Sequence, residues 1–255
     1  MGENIEYEKK IPFDKFLSSK GIEVEKTTNK VIIQNITKKD IYNQLELIHT
    51  FHNIAKNYNS LNSKFIKNKL GKAIEKYKIS IKNLKKDINS YNSSNAINEF
   101  ENYLVQSSLN YTLRAEKAIE LIIDSNYIGL IKRSMRRFEI CLGNTFLSNL
   151  WEDNGIKIGT LKHCSYNMIE MDGVYFLNKL KRNGLKTDYI EAINKFCEIQ
   201  GLGEDSVQFM KALLSYPHEF MKCAERYREG RKGWTINEYK NNLFIAEQKD
   251  GESIF

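Results

Sequence analysis

Between Ile66 and Ile88 the apolar residues Ile66, Leu70, Ile74, Tyr77, Ile81, Leu84 and Ile88 follow at intervals of 4, 4, 3, 4, 3 and 4. That is the period of one face of an α-helix. The stretch predicts a long amphipathic helix, broken at SYNSSN, residues 90–95. The same period recurs on both sides. Thr37 and Asp40 offer N-caps to a helix with Ile41, Leu45, Ile48, Phe51 or His52, and Ala55 on its apolar face. A further helix runs from Ala96 to Ile123, with Phe100, Leu104, Tyr111, Ala115, Ala118 and Ile122 turned inward. With 2 prolines and 14 glycines among 255 residues, long helices are favoured over a sandwich or barrel.

The flanking segments read differently. Residues 1–20 form a lead-in, with Ile11, Phe13, Phe16 and Leu17 suited to a short amphipathic helix. The stretch GIEVEKTTNKVIIQNI alternates and is rich in β-branched residues, which predicts a small hairpin turning at Thr27–Lys30. After a short basic helix, Ile128 to Phe138, the segment 139–167 is irregular, with a hairpin turn at Trp151–Gly155. Helices are expected near 172–182, 188–199, 204–215, 217–230 and 235–247, with Pro217 in a first turn that needs no N–H from it. The domain reading is a lead-in and β element over 1–36, then one helical domain over 37–255.

Composition narrows the setting. The formal charge of +7 is a modest excess for this length and reads as a solvated surface. Cysteines stand singly at 141, 164, 197 and 223, and no CxxC pair or signal peptide occurs, so reduced thiols in a cytoplasmic protein are expected. No run approaches the roughly 18 apolar residues of a membrane span.

Long helices, then a loop with a short hairpin, then more helices is the order of the larger lobe of kinase-like phosphotransferases. Three stretches sharpen the likeness: IHTFHNIAKNY at 48–58, DSNYIGLIKRSMRRFEICLGNTFLSNLWEDNGIKI at 124–158, and LLSYPHEFMKCAERYREGRKGW at 213–234. Over about residues 40–247 the chain resembles the CotS-type spore coat proteins, relatives of the aminoglycoside and choline phosphotransferases. The resemblance implies a mainly α fold. It would be the C-terminal lobe of the kinase-like fold, with a β-hairpin at the former catalytic loop and a small N-terminal β element.

It also implies a loss. The family's catalytic loop reads H-x-D-x-x-x-x-N, the Asp taking a proton from the attacking hydroxyl and the Asn holding magnesium. Here Leu142 stands for the His and Asn144 for the Asp, while Asn149 keeps the five-residue spacing from Asn144. An amide cannot accept a proton at neutral pH, and a missing base typically costs about 10²- to 10⁴-fold in rate. The family's second metal ligand, an Asp after the hairpin, is matched by Leu161 or His163 in GTLKHC, neither of which suits a hard cation. An Asp that braces the loop persists as Asp172. No GxGxxG and no V-A-I-K strand precede the first long helix.

The resemblance thus implies a pseudokinase-like protein with no catalytic residue, metal or cofactor. Its work would be in spore coat structure or assembly, by binding other coat or scaffold proteins, first in the mother-cell cytoplasm and then in the coat. Two alternatives stand beside it: a residual small-molecule phosphotransferase, and a basic module for nucleic acid or an anionic surface.

Other constellations have plainer readings. His49 and His52 share a helix face but lack a Glu or Cys at ligand spacing, so packing or hydrogen bonding is expected. Cys141 with His163–Cys164 fits no zinc pattern; buried structural thiols are expected, with a Cys–His catalytic pair as the alternative. Lys132, Arg133, Met135, Arg136 and Arg137 read as a solvated face, with a docking patch for an acidic partner as the alternative. Tyr227, Arg228, Arg231, Lys232 and Trp234 mix aromatic and basic residues as nucleic-acid binders do, but the resemblance accounts for the aromatics as helix packing.

Overall fold

A computed structural model describes residues 11–25, 27–58, 66–94 and 97–254. The elements run α1 (Phe13–Ser19), β1 (Ile22–Val24), α2 (Lys38–Ala55), β2 (Lys67–Asn68), α3 (Lys72–Asn92), α4 (Glu99–Asp124) and α5 (Tyr127–Arg137). They continue with β3 (Ile140–Cys141), β4 (Leu150–Glu152), β5 (Ile156–Ile158), β6 (Ser165–Tyr166), α6 (Glu170–Arg182), α7 (Tyr189–Gln200), α8 (Glu204–Ser215), α9 (His218–Arg228) and α10 (Ile236–Asp250).

The helices rest on the expected faces. Thr37 and Asp40 close a reciprocal capping box at the start of α2, and Ile41, Leu45, Ile48, Phe51, His52 and Ala55 are buried. Asn98 and Glu101 do the same for α4. Ala96, the expected start of that helix, lies outside the described residues. Six phenylalanines, at 51, 100, 176, 196, 209 and 220, are fully buried in one core, each contributing roughly 1.5–3 kcal/mol by leaving water. Among the described residues no helix is long and apolar enough to cross a membrane.

Two expectations need correction. The apolar period from Ile66 overruns its helix, because α3 begins only at Lys72. Gly71 stands before it at φ +78°, a left-handed conformation that breaks a helix and suits glycine. Ile66 instead precedes β2, which pairs in parallel with β6. The N-terminal hairpin does not form either. β1 pairs in parallel with β5, Ile22 opposite Ile156 and Val24 opposite Ile158, while residues 33–35 make a 3₁₀ turn. An isolated hairpin is marginal, and β5 offers an open edge.

Two small sheets result, ordered β1-β5-β4 and β2-β6-β3. The turn between β4 and β5 falls where the sequence put it, with Asn154 at φ 49° and Gly155 at φ 133°. Phe13, Leu17 and Ile22 are buried in the core shared with the helices. The mixed cluster near the C-terminus is largely packing: Tyr227 lies 4.1 Å from Phe100 and 5.1 Å from Tyr239, and Trp234 lies 5.2 Å from Tyr239.

Candidate functional site

The loop that follows β3 is held from below by one carboxylate. Asp172, in the first turn of α6 and 1% exposed, accepts the N–H of Leu142 at 2.7 Å and of Gly143 at 2.8 Å. Thr145 Oγ1 donates to the Asp172 carbonyl at 2.8 Å. A Cβ on Gly143, whose φ is +76°, would meet the His163 carbonyl oxygen at 2.4 Å, so the loop needs glycine there.

A directed chain of hydrogen bonds reaches this carboxylate from two helices. Asn53 Nδ2 donates to His49 Nε2 at 2.5 Å, and His49 Nδ1 donates to Gln200 Oε1 at 3.1 Å. Gln200 Nε2 donates to His52 Nδ1 at 2.9 Å, and His52 Nε2 donates to Asp172 Oδ2 at 2.9 Å. The two histidines three residues apart are thus joined through Gln200. Gln44, two turns before His52 on α2, donates to the carbonyls of Thr145 (2.8 Å) and Leu150 (3.0 Å).

His52, Cys141 and Asp172 bring their ligating atoms within 4.8 Å of one another. Those atoms are already engaged. The Cys141 thiol donates to the Met168 carbonyl at 3.1 Å, and burial, with Asp172 next in effect, pushes its pKa well up. The donor set is spent on the fold. All four cysteines are free and buried.

Above the brace lie the expected chemical positions. Asn149 is 2% exposed and its amide is consumed by backbone: Nδ2 donates to the carbonyls of Asn144 (2.8 Å) and Thr160 (3.3 Å), and Oδ1 accepts from Thr160 N at 2.8 Å. Asn144 Oδ1 is buried without a hydrogen-bond partner. Leu142 is fully buried, a side chain for packing.

After the hairpin, Gly159 approaches the Asn149 side chain. A Cβ on Gly159 would lie 3.1 Å from Asn149 Oδ1, whereas Leu161 is half-buried farther along and His163 is exposed. The same Cβ would meet the Thr27 carbonyl oxygen at 2.2 Å. The segment after β1 occupies this space, with Glu25 N donating to the Ile158 carbonyl and Asn29 N to the Ser148 carbonyl, both at 3.0 Å. Magnesium wants several hard oxygens, usually with a carboxylate among them. Position 159 offers no side-chain oxygen, position 144 an amide oxygen where a carboxylate is wanted, and Asn149 Oδ1 is taken. These residues do not fit a magnesium site.

Reasoning from sequence missed Gln44, Gln200 and a second buried cluster. Arg133 forks onto Glu170 with 2.7 Å contacts, reaches Glu139 at 3.1 Å, and shares Glu170 with Ser206. Burial opposes the charge on Arg133, yet Glu170 and then Glu139 raise its pKa well above the usual arginine value. Arg133 therefore leaves the basic face, although Lys132, Met135, Arg136 and Arg137 stay exposed. Gln44 had a readable signal: a polar residue four positions before Ile48 and eight before His52, on the apolar stripe.

No protein-family model and no curated protein matches this sequence. Among solved structures, the chain is similar to an aminoglycoside phosphotransferase from Alicyclobacillus acidocaldarius subsp. acidocaldarius DSM 446, with a TM-score of 0.66 at 11% identity. The match covers 83% of this chain and 63% of that one, so this chain spans less than two thirds of its length.

Proposed function

We propose that this chain, built on the aminoglycoside phosphotransferase fold, is a non-catalytic, pseudokinase-like protein that works by binding other proteins. The observation behind the reading is Gly159. The position facing Asn149 has no side chain, and the Thr27 carbonyl stands where a carboxylate would project. Asn144 cannot serve as a base, and Glu25, Thr27 and Asn29 lie with their backbone against the hairpin.

The finer assignment is a CotS-like spore coat protein, made in the mother cell and acting in coat structure or assembly with other coat or scaffold proteins. It rests on the three sequence stretches at 48–58, 124–158 and 213–234. The binding half draws support from a cavity of about 540 Å³ between the end of α2, α5 and β6. Met135 and Phe138 on its rim are 60% and 58% exposed, an apolar surface of the kind that marks interaction sites.

Thermal unfolding with about 5 mM MgATP or MgGTP tests the closed site. A ligand with a dissociation constant of about 0.5 mM would add about 1.4 kcal/mol and raise Tm by roughly 3–5 °C. The expected shift is nil. A shift that disappears in Asn149→Ala would sink the reading.

A further inference from the structure

A second concavity lies well away from the catalytic-loop region in sequence, where α3, α9 and the turn after α9 meet. It encloses about 390 Å³. Its wall carries five cations, Lys76, Lys222, Arg226, Arg231 and Lys232, against one carboxylate, Glu225. The floor is aromatic: Tyr77 stacks on Tyr216 at 4.1 Å and 15°, with the His218 ring edge-on to Tyr77 at 6.0 Å. Burial pushes the pKa of the Tyr216 hydroxyl well up, with Ser80 opposing it.

The acids nearby do not balance this charge. Glu225 is shared between Lys76 at 3.6 Å and Arg231 at 3.9 Å, and Glu229 also serves Arg231. Lys222 reaches Glu219 at 3.8 Å, but that carboxylate already holds Arg182 at 2.6 Å. Arg226 and Lys232 have no ion pair among the described residues; each lies over the Trp234 ring, at 5.8 and 5.9 Å. The N-terminus of α9 is not the attractor, because the N–H groups of Glu219 and Phe220 are bound to the Asp250 carboxylate at 2.9 and 2.7 Å.

The crowding shows in the groups themselves. Burial first, and then Arg182, press the pKa of His218 down to about 4, with Lys222 and Lys76 adding to the effect and Glu219 opposing it. The pKa of Lys222 is lowered by burial, and by Arg226, Arg182 and Lys76 against the pull of Glu219. Like charges gathered round a concavity raise the local potential and hold an anion more strongly than the same charges spread over a surface.

We propose that this pocket binds a small multivalent phosphate-bearing anion. The planar guanidinium forks of Arg226 and Arg231 match phosphate oxygens, and the three lysines act as point charges around them. The volume is in the range of small-molecule sites. The inference is independent of the catalytic-loop reading and uses none of its residues.

The test is calorimetric titration of the full chain with inorganic pyrophosphate. Saturable one-to-one binding is expected. Lys222→Gln/Arg226→Gln should weaken it about 100-fold, about tenfold for each lost charged contact. Lys232→Gln, in an exposed turn that leaves the helices alone, should weaken it about tenfold. The control Lys132→Gln/Arg136→Gln, which removes the same charge from α5, should stay within about twofold. No saturable heat would overturn the proposal. So would equal losses in the pocket and control variants, or binding of single-stranded RNA or an acidic peptide with no response to pyrophosphate.

Discussion

Asp172→Asn strikes the carboxylate on which the loop depends. In the wild type three donors converge on it, two buried and one half-buried: Leu142 N and His52 Nε2 at 2.7 and 2.9 Å, and Gly143 N at 2.8 Å. An asparagine keeps one oxygen, and its NH₂ must face an N–H that cannot accept. At least one donor is then orphaned and the others lose a charged acceptor. Each buried unsatisfied group costs about 1–3 kcal/mol, so the substitution should cost about 2–4 kcal/mol and Asp172→Ala somewhat more. That is a large part of the 5–15 kcal/mol that typically holds a domain together. Urea unfolding, followed by circular dichroism and by Trp fluorescence, measures it. Trp151 sits on β4 beside the loop and reports locally. A loss below about 1 kcal/mol in Asp172→Asn would refute the argument that this carboxylate organises the loop.

Gly159→Asp should destabilise by about 1–3 kcal/mol through overpacking, because its Cβ meets the Thr27 oxygen at 2.2 Å; urea titration checks it. Arg133→Met strands Glu139 and Glu170 as buried unpaired charges and should cost about 3–5 kcal/mol at pH 7 by the same assay. The two buried titrations should oppose one another. Burial raises Asp250 to about 6, so its contribution is full below its unfolded value of 3.8 and is lost as pH rises through 6. Burial and Arg182 lower His218 to about 4, so its contribution is full above 6.5 and is lost as pH falls through 4. Each amounts to about 3 kcal/mol at most. Between pH 6.5 and 4, Asp250→Asn should become steeper in its loss of stability on acidification, and His218→Gln shallower, in urea midpoints measured across that range.

Much of the helical frame was legible because it depends on local rules. Thr37 with Asp40 and the stripe from Ile41 to Ala55 set α2 without help from elsewhere. The Trp151–Gly155 turn was legible for the same reason: Asn154 and Gly155 supply its two positive φ angles. The failures are non-local. Ile22–Val24 looks like half of a hairpin until the β5 edge, more than 130 positions away, is brought beside it. Ile66 and Leu70 keep the helical period, yet β6 draws their neighbours into a strand and Gly71 forbids continuity. In the site, the spacing of Asn144 and Asn149 and the carboxylate at Asp172 could be read directly. Which residue approaches Asn149 could not, because it depends on how β5 ends and how Thr27 and Asn29 lie against it. Gln200 was invisible for a similar reason: its partners His49 and His52 lie about 150 positions earlier.

The central claim is that the loop keeps its geometry without its chemistry. Phosphate release and transfer from ATP and GTP with magnesium, measured on wild type and on Asn144→Ala and Asn149→Ala, tests it most directly. The expected result is a background rate in all three proteins, equal within error. Turnover in the wild type that either substitution abolishes would contradict the account.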